Sequence, residues 1–432
     1  RQMNELILHP LNNADKLEKM YHWIQYFLDI QWNFDTELTP MCDLERMLTK
    51  LKMKRLTPSD IHSIYETHGY MNKLSKQFLK KRDKSFRETF LVDKVYELHK
   101  DFTSSIKNTF QMAICSQMNH LNFDKFSDIN DKLFCHGVNP ELDQLIRQRI
   151  ENQDKLNAIL RVFETFFKEK KKNQVDFIKL HKTSNGDISL QLTNLRGKKM
   201  KEMINHKIKQ GTSSSVLSLS FESSFDKQTQ TFSFDLENVY FKELSNKNTI
   251  VSSTVIDQLV HMIQSDNIRY LDVLENTYKM AVQTLYDDYF QHLVNFIECV
   301  KMIDITNTKA NLARQFNLCK PEIQEHDHSF VDAKKLRHML IEHIETREIY
   351  VPNDVCLGKE ESQSGVLLYG TNAVGKTSLI KALGIAVIMA QSGFYVPCES
   401  FVFKPYQYIF TRIIGNDNIF KGMSTFDVEM SE

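Results

Sequence analysis

Apolar residues recur at steps of three and four over most of the chain. Leu17, Met20, Tyr21, Ile24, Phe27 and Leu28 mark one face of a helix within residues 13–34, with Asn13 placed to cap it. Thr57-Pro58-Ser59-Asp60 announces a second helix: Thr57 caps, Pro58 takes the first helical position, and Asp60 lies near the positive end of the dipole. Ile61, Ile64 and Tyr65 follow at helical spacing. From Phe86 to about Lys172 the same spacing continues, with Gly137 and Pro140 as the obvious break, which predicts two long helices joined by a short bend.

Near Lys172 the period shifts toward two. Ile188, Leu190 and Leu192 alternate with Ser189, Gln191 and Thr193 after the turn signal Ser184-Asn185-Gly186-Asp187, and Leu217, Leu219 and Phe221 alternate with Ser218 and Ser220. A small β-rich module is therefore expected between helices, running to about Lys247 with a helical stretch, Arg196 to Gln210, in its middle. Helical spacing returns at Ile268 and steps through Leu271, Leu274, Tyr278, Ala281, Leu285, Tyr289, Leu293, Phe296 and Val300. Such length predicts a strut or lever. After about Lys320, short β-branched runs with glycine turns predict an α/β domain from near His328.

Composition agrees with long helices, since 432 residues include only 13 glycines and 8 prolines. No apolar run approaches the roughly 18 residues of a membrane-spanning helix. Lys+Arg 55 balances Asp+Glu 55, so net charge makes no case for nucleic acid and any basic surface must be local. One local excess exists: Lys168, Lys170, Lys171, Lys172, Lys179, Lys182, Arg196, Lys198, Lys199, Lys201, Lys207 and Lys209 crowd the β-rich module. These could grip phosphates without reading bases, or form an ordinary solvated face. Seven cysteines at no zinc spacing fit reduced thiols and a reducing compartment. His326, His328, His338 and His343 lack cysteine or carboxylate at ligand spacing, so no metal is expected there.

One motif carries chemistry. Gly365-Val366-Leu367-Leu368-Tyr369 reads as a buried strand, followed by Gly370-Thr371-Asn372-Ala373-Val374-Gly375-Lys376-Thr377-Ser378 and an apolar-periodic helix. This is G-x-x-x-x-G-K-[ST] in the strand–loop–helix context of a phosphate-binding loop. Backbone N–H groups of such a loop converge on phosphate oxygens, and the helix N-terminus adds a favourable dipole. Lys376 would meet the β- and γ-phosphates, and Thr377 would place its hydroxyl on Mg²⁺.

Further motifs follow in order: Ala390-Gln391-Ser392-Gly393-Phe394-Tyr395-Val396-Pro397-Cys398, Ile409-Phe410-Thr411-Arg412-Ile413-Ile414-Gly415-Asn416-Asp417, and Lys421-Gly422-Met423-Ser424-Thr425-Phe426. With Arg337-His338 and Tyr350-Val351-Pro352-Asn353-Asp354 upstream, the region resembles the ATPase domain of the MutS family of DNA mismatch-repair proteins. Its Thr-Asn-Ala-Val-Gly-Lys-Thr variant is similar to the branch found in large DNA viruses and soft-coral mitochondria.

The resemblance implies a multidomain, mainly α protein with an inserted small β-rich clamp and a C-terminal α/β P-loop domain of ABC type, truncated at its end. The implied organisation is a helical core and lever (1–171), a DNA-contacting clamp (172–250), a returning lever with core helices (251–327) and an incomplete P-loop ATPase domain (328–432). ATP and Mg²⁺ are the implied cofactors, held by Gly370, Thr371, Asn372, Ala373, Val374, Gly375, Lys376, Thr377 and Ser378. Asn372 would lie near the terminal phosphate and Tyr350 would stack on adenine. Ser424 would be offered to the partner subunit's nucleotide, giving composite sites in a homodimer or a MutS-like heterodimer. Lys179, Lys182, Arg196, Lys198, Lys199 and Lys201 are the implied contacts to double-stranded DNA, mismatched or branched, and no membrane association is expected.

Departures shape the expectations. Ala373-Val374 stands where the family usually has Met-Gly, and Met339 where proline usually follows Arg-His. The chain starts at Arg1 rather than Met and ends at Glu432, before the acidic strand end expected to hold Mg²⁺ and orient water. As it stands it is expected to bind ATP weakly or not at all and to lack efficient hydrolysis, with no catalytic residue of its own within this span. Phe86-Arg87-Glu88 has the spacing of the family's mismatch-reading Phe-x-Glu but falls in a helical region, so it is read as chance. Two other readings stay open: a relative that stabilises branched DNA without reading mismatches, and a structural long-helix P-loop protein of chromosome-organising type. The second would need an extended heptad coiled coil, whereas here a β module interrupts the helices.

Overall fold

The computed structural model describes residues 2–31, 33–80, 84–121, 123, 132–165, 178–182, 188–209, 215–244, 247–344, 350–360, 364–371 and 374–411. In chain order the helices are α1 (Gln2–Leu8), α2 (Ala14–Asp29), α3 (Asp35–Leu38), α4 (Leu44–Lys52), α5 (Pro58–Lys80), α6 (Lys84–Thr89), α7 (Val92–Thr109), α8 (Met112–Cys115), α9 (Pro140–Thr165), α10 (Asn194–Lys209), α11 (Thr254–Gln315), α12 (Met339–Ile344) and α13 (Lys376–Gln391). The strands are β1 (Lys179–Lys182), β2 (Ile188–Thr193), β3 (Val216–Glu222), β4 (Thr229–Asp235), β5 (Tyr240–Glu243), β6 (Asn248–Ser252), β7 (Glu322–Ile323), β8 (Val331–Leu336), β9 (Asn353–Leu357) and β10 (Ser400–Phe403). The chain divides into two compact units. One comprises Arg1–Met41, Gly69–Glu97 and Val294–Glu432, the other Cys42–His68 and Leu98–Leu293.

In the first unit, α2 starts where its cap predicts: Lys16 N donates to the Asn13 side chain at 2.9 Å. Leu17, Tyr21, Ile24 and Phe27 are buried on its inner face. Trp23, Tyr26, Phe27, Phe78, Phe86 and Phe90 build an aromatic core, with Phe86 and Phe90 stacked at 4.5 Å between centroids. Phe86 is 1% exposed, so Phe86-Arg87-Glu88 is a core element and not a wedge. A four-stranded sheet runs in the order β7-β10-β8-β9, with β10 parallel to β7 and antiparallel to β8.

The predicted pair of long helices between Phe86 and Lys172 is broken into more pieces. α6 ends at Thr89, Leu91 adopts φ 56°, and α7 starts at Val92. The cause is a phase step: buried Phe86 and Phe90 are four apart, but buried Val92 follows after two, which a continuous helix cannot place on one face. A left-handed residue resets the phase. α7 then stops before Phe110, which bridges to Phe134, and α9 begins only at Pro140.

In the second unit, α5 opens with a reciprocal cap. Asp60 N donates to Thr57 Oγ1 at 3.2 Å, and Thr57 N donates to Asp60 Oδ2 at 2.8 Å. The core beneath gathers Leu51, Ile61, Ile64, Phe102, Leu142, Ile146, Leu274 and Tyr278 from α4, α5, α7, α9 and α11. The helical spacing from Ile268 to Val300 lies in one element: α11 has 62 residues, or about 93 Å at 1.5 Å per residue, of which those up to Leu293 belong to this unit and the rest to the first.

The period-two segments form an antiparallel sheet in the order β1-β2-β6-β5 and a separate β3–β4 hairpin. Leu190, Leu192, Leu219, Phe234 and Val251 face a second core that takes Leu156, Ile159 and Phe163 from α9 and Ile256, Leu259 and Ile263 from α11. α10 lies on this sheet through Gly197, Met200 and Ile204. A Cβ on Gly197 would stand 3.0 Å from Leu192 Cδ1 and 3.3 Å from Thr249 Cβ, so glycine allows an approach that a larger residue would reach only by shifting those side chains.

Candidate functional site

Among the described residues of the loop from Gly370 to Lys376, one glycine has a backbone that demands it. Gly375 sits at φ 95°, in the left-handed region, and immediately precedes the first turn of α13. A Cβ on Gly370 would come within 3.1 Å of Val374 Cγ1. The Lys376 ammonium folds back into the loop, donating to Gly370 O at 3.0 Å and Thr371 O at 2.6 Å. A cation is thus held over backbone carbonyls at a helix N-terminus, where an incoming anion could exchange for them. Thr377 and Ser378 follow, half-buried, in the first turn of α13. Asn372 and Ala373 lie outside the described residues, as does Ser424 with the rest of 412–432.

One expectation fails here. Residues 365–369 are not a buried strand: no described strand pairs with them, and Leu367 and Tyr369 are 88% and 87% exposed. An apolar run becomes a strand only when neighbours supply its ladder and cover its faces. The sheet formed by β7, β10, β8 and β9 does not reach it.

Tyr350 is half-buried beside the backbone of His338, and burial pushes its phenol above the ordinary value. His338 is buried and caps α12, its Nδ1 accepting from Ile341 N at 3.3 Å, while its Nε2 has no hydrogen-bond partner among the described residues. Burial, aided by the nearby Lys381 charge, lowers its pKa and keeps it neutral. Arg337 is structural: it pairs with Glu342 at 3.0 Å and donates to Asn317 O at 2.6 Å. Met339, at the first position of α12, occupies a place that tolerates proline.

The far end of α13 is anchored by groups whose roles sequence reasoning missed. Gln391 donates to the carbonyls of Leu11 and Tyr406 and accepts from Tyr406 N. Ser392 Oγ donates to Leu6 O, and Tyr21 OH to Ala390 O at 2.6 Å. A Cβ on Gly393, at φ 72°, would strike Met20. Lys309 is buried on α11, donates to Ser392 O at 2.8 Å and lies 4.5 Å from the Phe394 ring centre; burial lowers its pKa to about 7. The signal for Lys309 was available: it falls in the row of buried Ile303, Ala310 and Ala313, where a charged residue needs a partner.

Of the basic positions, Lys198, Lys199 and Lys201 are exposed and Arg196 half-exposed on α10. At 100° per residue they spread around the solvent side of the helix on both flanks of its buried face, without forming one stripe. Lys179 and Lys182 are the ends of β1, and their side chains lie outside the description. No group of three or more His, Cys, Asp or Glu suited to a metal occurs among the described residues.

Fold and loop together define a largely helical, multidomain protein with a glycine-containing loop that leads into α13. Residues 366–432 match MutS domain V. A putative DNA mismatch repair protein, a MutS homologue of Acanthamoeba polyphaga mimivirus, is 24% identical over the full chain, which covers 40% of that protein. The mitochondrial DNA mismatch repair MutS homologue of Sarcophyton glaucum is 29% identical over 48% of this chain and 23% of its own length. DNA mismatch repair protein MSH6 of Saccharomyces cerevisiae is 26% identical over the full chain and 32% of its own. The chain is thus similar to MutS-family mismatch-repair proteins, in two of these three along its whole length, and its residues 366–432 match one domain of that family. It spans less than half the length of these relatives.

Proposed function

We propose that the chain is part of an ATP-dependent DNA-binding protein of the mismatch-repair type. The supporting observation is the loop itself: a lysine ammonium poised on the carbonyls of Gly370 and Thr371, beside a left-handed glycine, at the head of α13 in a chain similar to MutS-family proteins. In this reading Gly370, Thr371, Asn372, Ala373, Val374, Gly375, Lys376, Thr377 and Ser378 hold the phosphates, with Thr377 offering its hydroxyl to Mg²⁺. The glycine-dependent geometry and the cationic loop fit that anion. Tyr350 receives the base. Ser424 completes a partner's site in a homodimer or MutS-like heterodimer.

The nucleotide provides the energy difference between two states of the protein on DNA, and this chain's residues bind and orient it. The DNA contacts are backbone contacts from Arg196, Lys198, Lys199 and Lys201, with Lys179 and Lys182 beside them. The test uses the intact protein with matched, mismatched and branched duplexes at fixed salt, with and without ATP, alongside Lys376→Ala. Mismatch preference that ATP releases in the parent protein, and that ATP leaves untouched in Lys376→Ala, is the expected result. Preference for branched DNA would move the assignment to a recombination-type relative. ATP release persisting in Lys376→Ala would overturn the loop's role.

A further inference from the structure

The first unit holds a pair of cysteines that the nucleotide reading does not use. Cys319, just beyond the end of α11, forms an isolated antiparallel bridge with Val396: Cys319 N donates to Val396 O at 2.8 Å and Val396 N to Cys319 O at 2.9 Å. Cys398 N turns back to Val396 O at 2.9 Å, which brings Cys398 beside Cys319. Arg337 clasps both segments. Its backbone N donates to Pro397 O at 2.9 Å, while its guanidinium reaches Asn317 O at 2.6 Å and Phe316 O at 3.4 Å. Two neighbouring thiols, one half-buried and one buried, thus lie near Arg337, whose charge also pairs with Glu342.

We infer that Cys319 and Cys398 form a peroxide-responsive dithiol, with Cys319 as the attacking thiol and Cys398 as the resolving one. Cys319 is the half-buried member that peroxide can reach, whereas Cys398 is buried; the interaction with Cys398, backbone donors and Arg337 favour the Cys319 thiolate against the cost of burial. Cys398 is raised by the same interaction and by burial, and stays protonated. Cys42, Cys135 and Cys356, also only partly covered, are pushed up by burial.

In the first step the Cys319 thiolate attacks one oxygen of hydrogen peroxide, the O–O bond breaks, and Cys319 becomes a sulfenic acid as hydroxide leaves and takes a proton from solvent. In the second, the Cys398 sulfur attacks the sulfenic sulfur, the S–O bond breaks, and the Cys398 proton leaves with that oxygen as water. Two thiols and one peroxide give one disulfide and two waters. The bond ties the chain just after α11 to the chain just after α13, closing a loop that contains the whole phosphate-binding segment.

The test treats the intact, reduced protein with graded hydrogen peroxide, follows disulfides by mass spectrometry of unreduced digests, and traps sulfenic acid with dimedone. In the parent protein the Cys319–Cys398 disulfide should form first and be reversed by dithiothreitol. In Cys398→Ser, dimedone should label Cys319 about tenfold faster than Cys42, Cys135 or Cys356. In Cys319→Ser, Cys398 should stay unlabelled. Equal oxidation of all partly covered thiols, or Cys319 passing to sulfinic acid while Cys398 is present, would overturn the pairing. The parent-protein result needs no variant, so a poorly folding substitution cannot obscure it.

Discussion

At the level of single residues, most of what fixes local structure is a short-range exchange of hydrogen bonds, and the costs are visible where the residue type is wrong for its backbone. α4 ends in a two-bond cap: Lys54 N donates to Leu51 O at 2.9 Å and Arg55 N to Lys50 O at 2.8 Å. That cap wants glycine at its left-handed position, yet Lys54 occupies it at φ 55°. A left-handed lysine costs about 1 kcal/mol, and its side chain is exposed, so little packing opposes a change. Lys54→Gly should stabilise the protein by about 1 kcal/mol, read as a higher urea midpoint at unchanged slope. A lower midpoint would mean that the unfolded-state entropy of glycine outweighs the relief of strain. Gly375 presents the opposite case, a glycine already placed where the loop needs one.

At the level of elements, the second unit buries three imidazoles where α5, α7 and α11 meet. His68 Nδ1 lies 3.0 Å from Ile64 O, its Nε2 lies 3.4 Å from His292 Nε2, and its ring stacks 5.9 Å from that of His99. Burial, and then the neighbouring imidazoles, hold His68 well below its usual pKa and His292 at about 4. The native state therefore binds fewer protons than the unfolded chain between about pH 4 and the ordinary 6.5. Stability from these groups is complete above pH 6.5 and is lost as pH falls toward 4. The melting temperature should drop steeply across that window, and His292→Phe should flatten the drop while keeping the ring packed against Phe102. An equally steep drop in the variant would assign the acid sensitivity to other groups. None of this was legible in the sequence, because His68, His99 and His292 are far apart along the chain and each reads as one polar residue on a helix. By contrast Thr57-Pro58-Ser59-Asp60 and the alternation at Ile188–Thr193 were legible, since a cap and a pleat are written within six residues. The run 365–369 was misread for the reason that makes strands harder than helices: its hydrogen-bond partners are not encoded locally. The break at Leu91 was readable in principle, as a two-residue step in the buried row.

At the level of the whole molecule, charge makes the strictest demand on the proposed function. Lys+Arg 55 and Asp+Glu 55 cancel, so long-range attraction to DNA cannot come from net charge and must come from a patch. In the proposed reading α10 supplies it: Gly197, Met200 and Ile204 bury its inner side, which leaves Lys198, Lys199 and Lys201 exposed around its solvent side. Each lysine that neutralises a phosphate releases a counterion, and log K falls with log salt by about 0.9 per contact. Replacing Lys198, Lys199 and Lys201 with glutamine should weaken binding to matched and mismatched duplexes alike and make the salt slope shallower by about 1 to 3. Because the contacts carry no base information, the ratio of mismatch to matched affinity should hold. The loop from Gly370 to Lys376, proposed to bind phosphate, belongs to the other unit, so nucleotide affinity measured without DNA should also hold. An unchanged salt slope would leave α10 as an ordinary solvated face and move the DNA contact elsewhere, whereas a changed mismatch ratio would mean that α10 reads more than phosphate.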